Sequence, residues 1–393
     1  MTVPHRIVIA PSGFKESLDA EAVAEAISAG VRRALPGCHL ASVPLVDGGE
    51  GSARTLAAAT GGRLVPVTVT GPVGQPVDSH IAMLGGDAEG TAVVEMAAAA
   101  GLRLVPRDLR DPGATTTYGV GELVCAALDA GATKVLVGCG DSGTCDGGAG
   151  ALQALGARVQ DSGGTEVGRG GTALADVDRL DLAGLDPRLA GVEVLVACNP
   201  HNLLTGPKGV ARVFGPQKGA TPEQVEVLDG AMVRWAEVLE RDGVAPEGLD
   251  LATGSGTGAS GGLGAGLAGG LGARLLPRFD VMLDHVDLDA LIGRADLVIT
   301  AEGAVDFQTP HGKVPAEVAR RAKLHGKPVL ALAGTIGDGA AGVHDVGIDA
   351  FASILAVPMP LADAVADGAR LLADAAERAM RLVLVGCSIS AGG

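Results

Sequence analysis

The chain has 393 residues, 47% of them hydrophobic, yet only five Phe, one Trp and one Tyr supply aromatic bulk. A core of Val, Leu, Ile and Ala on that scale suits buried parallel strands covered by alanine-rich helices, and the length suggests two or three domains. A formal charge of −16 argues against nucleic acid and anionic membrane as partners, because the overall field repels phosphate polymers. No uninterrupted apolar run reaches about 18 residues, so no membrane span is expected. Six cysteines without a CxxC pair and no signal peptide at the start point to a cytoplasmic chain with reduced thiols.

In chain order, Arg6 to Ala10 reads as a strand running into Pro11-Ser12-Gly13-Phe14-Lys15-Glu16-Ser17. Val23, Ile27, Val31 and Leu35 then recur at helical spacing, with Ser17 or Asp19 able to cap the helix. Lys15 precedes that helix start, where ammonium and dipole together suit a phosphate. The second strand, His39 to Leu45, leads into Val46-Asp47-Gly48-Gly49-Glu50-Gly51-Ser52. Asp47 and Glu50, two carboxylates around a Gly-Gly turn at a strand's carboxyl end, can hold Mg²⁺ or take a proton from a hydroxyl. An ordinary turn also favours Asp-Gly-Gly.

From Arg63 to Met96, short alternating runs divided by Gly-Pro and Gly-Gly turns predict antiparallel hairpins, so a new domain is expected to begin near residue 63. A helix over Thr115 to Ala130 and a strand over Lys134 to Val137 lead to the loop Gly138 to Gly150. That loop carries Asp141, Ser142, Thr144 and Asp146 ahead of a helix. It is the kind of turn that offers backbone N–H groups and a carboxylate to a phosphorylated ligand. With 62 glycines in the chain, such loops also arise by composition alone.

Val192 to Ala197 reads as a strand ending in Cys198-Asn199-Pro200-His201-Asn202, and two Gly-Pro loops carrying Lys208 and Lys218 follow. Gly256, Gly258 and Gly261, with Gly262 next, match the dinucleotide fingerprint in letters. No good strand precedes them, so the segment reads as a phosphate-cradling or hinge loop, with close helix packing as the structural alternative. Asp280, Asp284, Asp287 and Asp289 read as solvated caps. The last section alternates again: a strand over Ala295 to Thr300, a loop carrying Glu302, Asp306, Gln308, Thr309 and Lys313, two more strands and a closing helix. The economical architecture has one α/β domain made of residues 1–62 and 291–393, and a second inserted over 63–290, with the loops lining a cleft.

Phosphoryl transfer asks little covalent help of a protein. It needs charge neutralised on the moving group, a carboxylate at the acceptor hydroxyl and usually Mg²⁺. Asp47, Glu50, Asp146, Glu302 and Asp306 at strand ends, with Lys15 and Lys313 at helix starts, supply those parts without a Walker loop. Acyl transfer fits less well, since no G-x-S-x-G elbow is present.

Pro11 to Ala20, Val46 to Ser52, Gly71-Pro-Val-Gly74, Glu95-Met-Ala97, Thr117 to Leu123, Asp146 to Gly150, Phe214 to Ala220, Gly261 to Gly266 and Glu302 to Lys313 together resemble, in order, the bacterial glycerate kinase type-1 family. The resemblance implies a two-domain α/β kinase, a split Rossmann-like domain with an inserted domain whose sheet is flavodoxin-like. It also implies ATP as donor and D-glycerate as acceptor, giving 2- or 3-phosphoglycerate. The expected catalytic set is Lys15, Asp47, Asp146, Asp306 and Lys313, with the base left open between Asp47 and Asp146. Ser17, Ser142, Asn199, His201, Asn202, Glu302, Gln308 and Thr309 are expected at the substrate, Gly256, Gly258, Gly261 and Gly262 at the nucleotide, and Asp47 with Glu50 at Mg²⁺. Departures fall at Ser12, Asp141, Cys145, Asn199, His201 and Ala304, where the pattern more often has other residues. Two alternatives therefore stay open: the same chemistry on another small hydroxy acid, or a degenerate kinase that only binds ligand. Assembly as a homo-oligomer is compatible with such a chain.

Overall fold

The structure, a computed structural model, describes residues 3–14, 17–282 and 287–391. Among these, the strands in chain order are β1 (Arg6–Ile9), β2 (His39–Ser42), β3 (Arg63–Thr70), β4 (Pro76–Met83), β5 (Thr91–Glu95), β6 (Lys134–Gly138), β7 (Arg158–Asp161), β8 (Val177–Asp181), β9 (Glu193–Cys198), β10 (Arg274–Pro277), β11 (Leu297–Val305), β12 (Val329–Ile336) and β13 (Ala350–Ser353). The chain is a two-domain α/β protein. Its two compact units are Met1–Val46 with Leu283–Gly393, and Asp47–Met282.

The terminal unit holds a parallel sheet in the order β13-β12-β11-β1-β2. Counted within the unit this is 2-1-3-4-5, the doubly wound order of flavodoxin-like sheets. Ile7, Val8 and Ile9 in β1 are all buried, as a strand covered on both faces requires. Helix Ala20–Ala34 starts where the Asp19 carboxylate accepts from Ala22 N at 2.8 Å. Its buried Val23, Ile27 and Val31 join Leu372, Ala376 and Met380 of helix Gly368–Ala391 in one apolar cluster.

The inserted unit holds a mixed six-stranded sheet, β10-β9-β6-β5-β4-β3. The predicted hairpins are there: β3, β4 and β5 pair antiparallel, whereas β5, β6, β9 and β10 run parallel. Strands β7 and β8 form a separate ribbon. Both unit boundaries differ from the expected 62/63 and 290/291, for a local reason. Helix Ser52–Thr60 is tied into the inserted unit at each end, by Ala53 N donating to the Glu95 carboxylate at 2.5 Å and by Gly85 N donating to Thr60 Oγ1 at 3.2 Å. Helix Arg278–Met282 is held there through Arg278 and Asp47. Of the acidic residues read as caps, Asp287 does cap, accepting from Ala290 N at 2.9 Å. Asp284 lies outside the described residues.

At Gly30, helix Ala20–Ala34 lies close against helix Gly368–Ala391: a Cβ built there lies 2.0 Å from the Ala373 carbonyl oxygen and 2.8 Å from Ala376 Cβ. Gly30→Val must therefore push the helices apart, at a cost of about 1–3 kcal/mol. A lowered urea midpoint by circular dichroism is the expected result; an unchanged midpoint would mean the pair parts freely.

Candidate active site

Because β5, β6, β9 and β10 are parallel, their carboxyl ends share one edge of the inserted sheet, where open α/β sheets bind ligands. The Asp47–Ser52 turn docks on that edge backbone to backbone. Gly48 has φ +83°, and a Cβ on it would sit 3.1 Å from Gly138 Cα and Cys139 N; one on Gly49 would sit 2.6 Å from Asp141 Oδ2. The left-handed backbone of Gly48 favours glycine there. The turn leaves Asp47 half-exposed, accepting from Gly49 N at 3.1 Å and paired with the nearly buried Arg278 guanidinium at 3.1 Å. Glu50 turns instead to Arg103 at 2.9 Å, an exposed pair of small energetic weight. Asp47 and Glu50 therefore do not fit a shared Mg²⁺ site, since each carboxylate already faces a guanidinium. Among the described residues no group of three His, Cys, Asp or Glu is gathered as a metal would need.

In the loop after β6, Asp141 takes a left-handed backbone, φ +52°. The half-buried Ser142 follows it, and Lys218 Nζ donates to Ser142 Oγ at 2.8 Å and to the Thr144 carbonyl at 2.7 Å. Burial pushes the Lys218 ammonium down to about 8, against the opposing pull of Cys145 and Asp146. Asp146, expected as a catalytic carboxylate, is fully buried. Its Oδ2 accepts from Thr117 N at 2.7 Å and Thr117 Oγ1 at 2.8 Å, and its Oδ1 from Gly148 N at 3.3 Å. Burial raises its carboxyl above the ordinary value while the Thr117, Gly148 and Gly150 donors pull it back. With its oxygens so engaged, Asp146 joins the starts of helices Tyr118–Asp129 and Ala149–Ala154 and presents nothing outward.

After β9, His201 is exposed and its N–H donates to Asn199 Oδ1 at 3.0 Å, while the Asn202 carbonyl accepts from Gly258 N at 3.0 Å. Gly256, Gly258, Gly261 and Gly262 are all buried. Cβ atoms on Gly258 and Gly261 would meet the Leu203 and Thr144 carbonyls at 2.0 and 2.1 Å, and one on Gly256 would meet Cys198 Sγ at 2.4 Å. These glycines let three loops lie in backbone contact; in this structure they face protein, not an open phosphate cradle.

The terminal unit carries a second cluster. The sequence suggests that Glu302 lies in a loop, but β11 extends to Val305 and places it inside the strand, buried, accepting from Thr309 Oγ1 at 2.5 Å. Burial raises the Glu302 carboxyl, with Lys313 and Thr309 opposing. Lys313 Nζ lies 3.5 Å from Glu302 Oε2 and 3.3 Å from Asp306 Oδ1, just before helix Val314–Leu324. Asp306 Oδ1 also accepts from the N–H of exposed Gln308 at 2.8 Å. Ser17 Oγ donates to the Val365 carbonyl at 3.1 Å. Lys15 lies outside the described residues.

Sequence reasoning missed Lys218, Arg278 and Glu95 as site residues. The Gly-Pro-Gln-Lys-Gly loop was the available signal for Lys218, and Glu95 lay in a recognised motif. Nothing in the sequence marked Arg278, whose partner Asp47 is 231 positions away.

The sequence pattern of the glycerate kinase family matches residues 7–384. Over 359 residues the chain is 47% identical to a glycerate kinase of Bacillus subtilis (strain 168), covering 91% of this chain and 92% of that one. It is 45% identical over 350 residues to a glycerate 2-kinase of Escherichia coli (strain K12), covering 89% and 90%. The crystal structure of a putative glycerate kinase 2 from Salmonella typhimurium LT2 is similar at TM-score 0.76 and 42% identity, covering 97% and 98%. The fold and these relatives define an α/β phosphotransferase with an alcohol group as acceptor. Within that class, the chain belongs to the glycerate kinase family.

Glu95 generates a pH prediction. Burial pushes its carboxyl from the ordinary 4.5 up to about 7, against N–H donation from Ala53 and Gly51. Between those values the folded protein holds a proton that the unfolded chain has lost, so stability falls as pH rises through the window. The loss is roughly 3 kcal/mol at about 1.4 kcal/mol per unit. Glu95→Gln should flatten that fall, read as the difference in urea midpoints between about pH 4.5 and about pH 8. Parallel curves for the two proteins would contradict the shift.

Proposed function

We propose that this enzyme transfers the γ-phosphoryl group of ATP to a hydroxyl of D-glycerate in the cytoplasm. The observation that carries the reading is that each unit, taken by itself, bears a carboxylate held by a cation, Asp47 by Arg278 in the inserted unit and Asp306 by Lys313 in the terminal one. Such charged groups suit a reaction whose demands are positioning and charge neutralisation. The name of the Escherichia coli relative favours the 2-hydroxyl and hence 2-phosphoglycerate. The Mg²⁺ expected with ATP is assigned to the nucleotide's own phosphates, not to a protein cage. Lys313, the cation of the terminal unit's cluster, is the group we assign to phosphate charge.

Of the two carboxylates considered as base, half-exposed Asp47 is the better placed, because Asp146 spends its oxygens inside the protein. The test is incubation with ATP, Mg²⁺ and D-glycerate, followed by phosphorus NMR. Coupling to one carbon-bound proton identifies the 2-phosphate, coupling to two the 3-phosphate, and absence of both products would refute the reading. Asp47→Asn should lower kcat by about 10²–10⁴-fold, with a fall in the unfolding midpoint no larger than the weakened Arg278 pair accounts for. Asp146→Asn keeps one acceptor oxygen but sets an NH2 against either the Thr117 or the Gly148 N–H, and should cost about 1–3 kcal/mol of stability. The reverse pattern would exchange the two roles.

A further inference from the structure

Lys218 is only 2% exposed and belongs to the short turn Pro216–Lys218. A buried ammonium is ordinarily matched by a carboxylate, because the desolvation of an unmatched charge is costly. Among the described residues no carboxylate oxygen lies within ion-pair distance of Lys218, whereas Arg278 and Lys313 both have one. Asp146 is the nearby carboxylate that pulls on it, but its oxygens are engaged by Thr117 and Gly148. Cys145 is fully buried, and burial pushes its thiol up to about 11, so it supplies no anion at neutral pH. The hydrogen bonds of Lys218 go to two neutral oxygens, Ser142 Oγ and the Thr144 carbonyl.

Ser142 is where this charge reaches the surface. Its oxygen accepts from the ammonium, so its own proton must point elsewhere, and Ser142 itself is half-buried at the carboxyl edge of the sheet. A hydroxyl polarised in this way is a strengthened donor toward a negative oxygen, and an anion there would supply the charge that Lys218 lacks. We infer that Ser142, backed by Lys218, is an oxyanion receptor that takes a negatively charged oxygen of a reactant, either the carboxylate of the hydroxy acid or a phosphate of the nucleotide. The inference rests on the kinase reading for the identity of those two reactants and on geometry for the receptor. Lys218 acts through Ser142 and is a positioning residue, not a catalytic one.

The test is calorimetric binding of D-glycerate and of ATP, each separately, to the full-length wild type, Ser142→Ala and Lys218→Met. Steady-state KM and kcat are measured in parallel. Losing one charge-assisted hydrogen bond corresponds to roughly 10–100-fold in affinity. Weakened D-glycerate binding, with a raised acceptor KM and near-constant kcat, assigns the receptor to the carboxylate. Weakened ATP binding with a raised nucleotide KM assigns it to phosphate. The two substitutions together should cost little more than either alone, as they break one relay. If Lys218→Met does not fold, Ser142→Ala decides, because it removes only an oxygen and leaves the lysine in place. Wild-type affinity for both reactants in Ser142→Ala would overturn the receptor while wild-type phosphoglycerate formation stands. A wild type that makes no phosphoglycerate overturns the kinase reading instead, and the binding arms still judge the receptor.

Discussion

The inserted unit hangs on one buried carboxylate. Asp146 sits at zero exposure and gathers the Thr117 N–H and hydroxyl with the Gly148 N–H, so two helix starts and the turn after β6 meet at a single charge. A carboxyl group buried in this way is tolerated only because donors surround it, and helix N-termini are a ready source of them. Trp235, fully buried on helix Pro222–Asp242, donates from Nε1 to the Gly147 carbonyl at 2.9 Å and closes the same turn from its other side. The segment Ser142 to Gly148 is thus held by one carboxyl group, one indole and one ammonium.

That rigidity gives the more exposed groups their placement. Once the turn is fixed, the flat backbones of Gly138 and Gly140 form a surface on which Gly48 and Gly49 can lie. This contact, more than the carboxylates' own chemistry, decides where Asp47 points. Arg278, just past the end of β10, then meets it from two strands away. Glycines that look in sequence like a ligand loop act here as spacers between backbones, and the Gly256–Gly262 segment follows the same rule against Thr144, Gly147 and Leu203.

The parts legible in the sequence were those with a strong local period. The run from Arg63 to Met96 alternates with turn punctuation, and its hairpins are present; the helix after Asp19 repeats at helical spacing and is present as well. What escaped was set by distance in sequence. Helix Ser52–Thr60 has nothing local to say which sheet it joins; that depends on Glu95, some forty residues on. Glu302 looked like a loop residue because glycine follows it, yet pairing with β12 carries β11 through that glycine to Val305. Lys218 read as one of two loop lysines, and only the closure of the loop around Ser142 and Thr144 separates it from Lys208. Asp146 showed the converse. Its residue type and its glycine-rich setting pointed to chemistry, and burial gave it architecture instead.

A chain with sixteen excess negative charges must still receive anionic reactants if it is a glycerate kinase. Coulomb interactions through water fade within about 10 Å at ordinary salt, so the net charge matters less than the few cations nearest the ligand. The cations described above, each within its own unit, differ in how far they are already spent. Arg278 and Lys313 each hold a carboxylate, so an arriving anion must compete with a partner that is already bonded. Lys218 holds only neutral oxygens, and an anion reaching it through Ser142 displaces no carboxylate. On an acidic protein, a buried ammonium with no carboxylate bonded to it is therefore where the local field can exceed the global one.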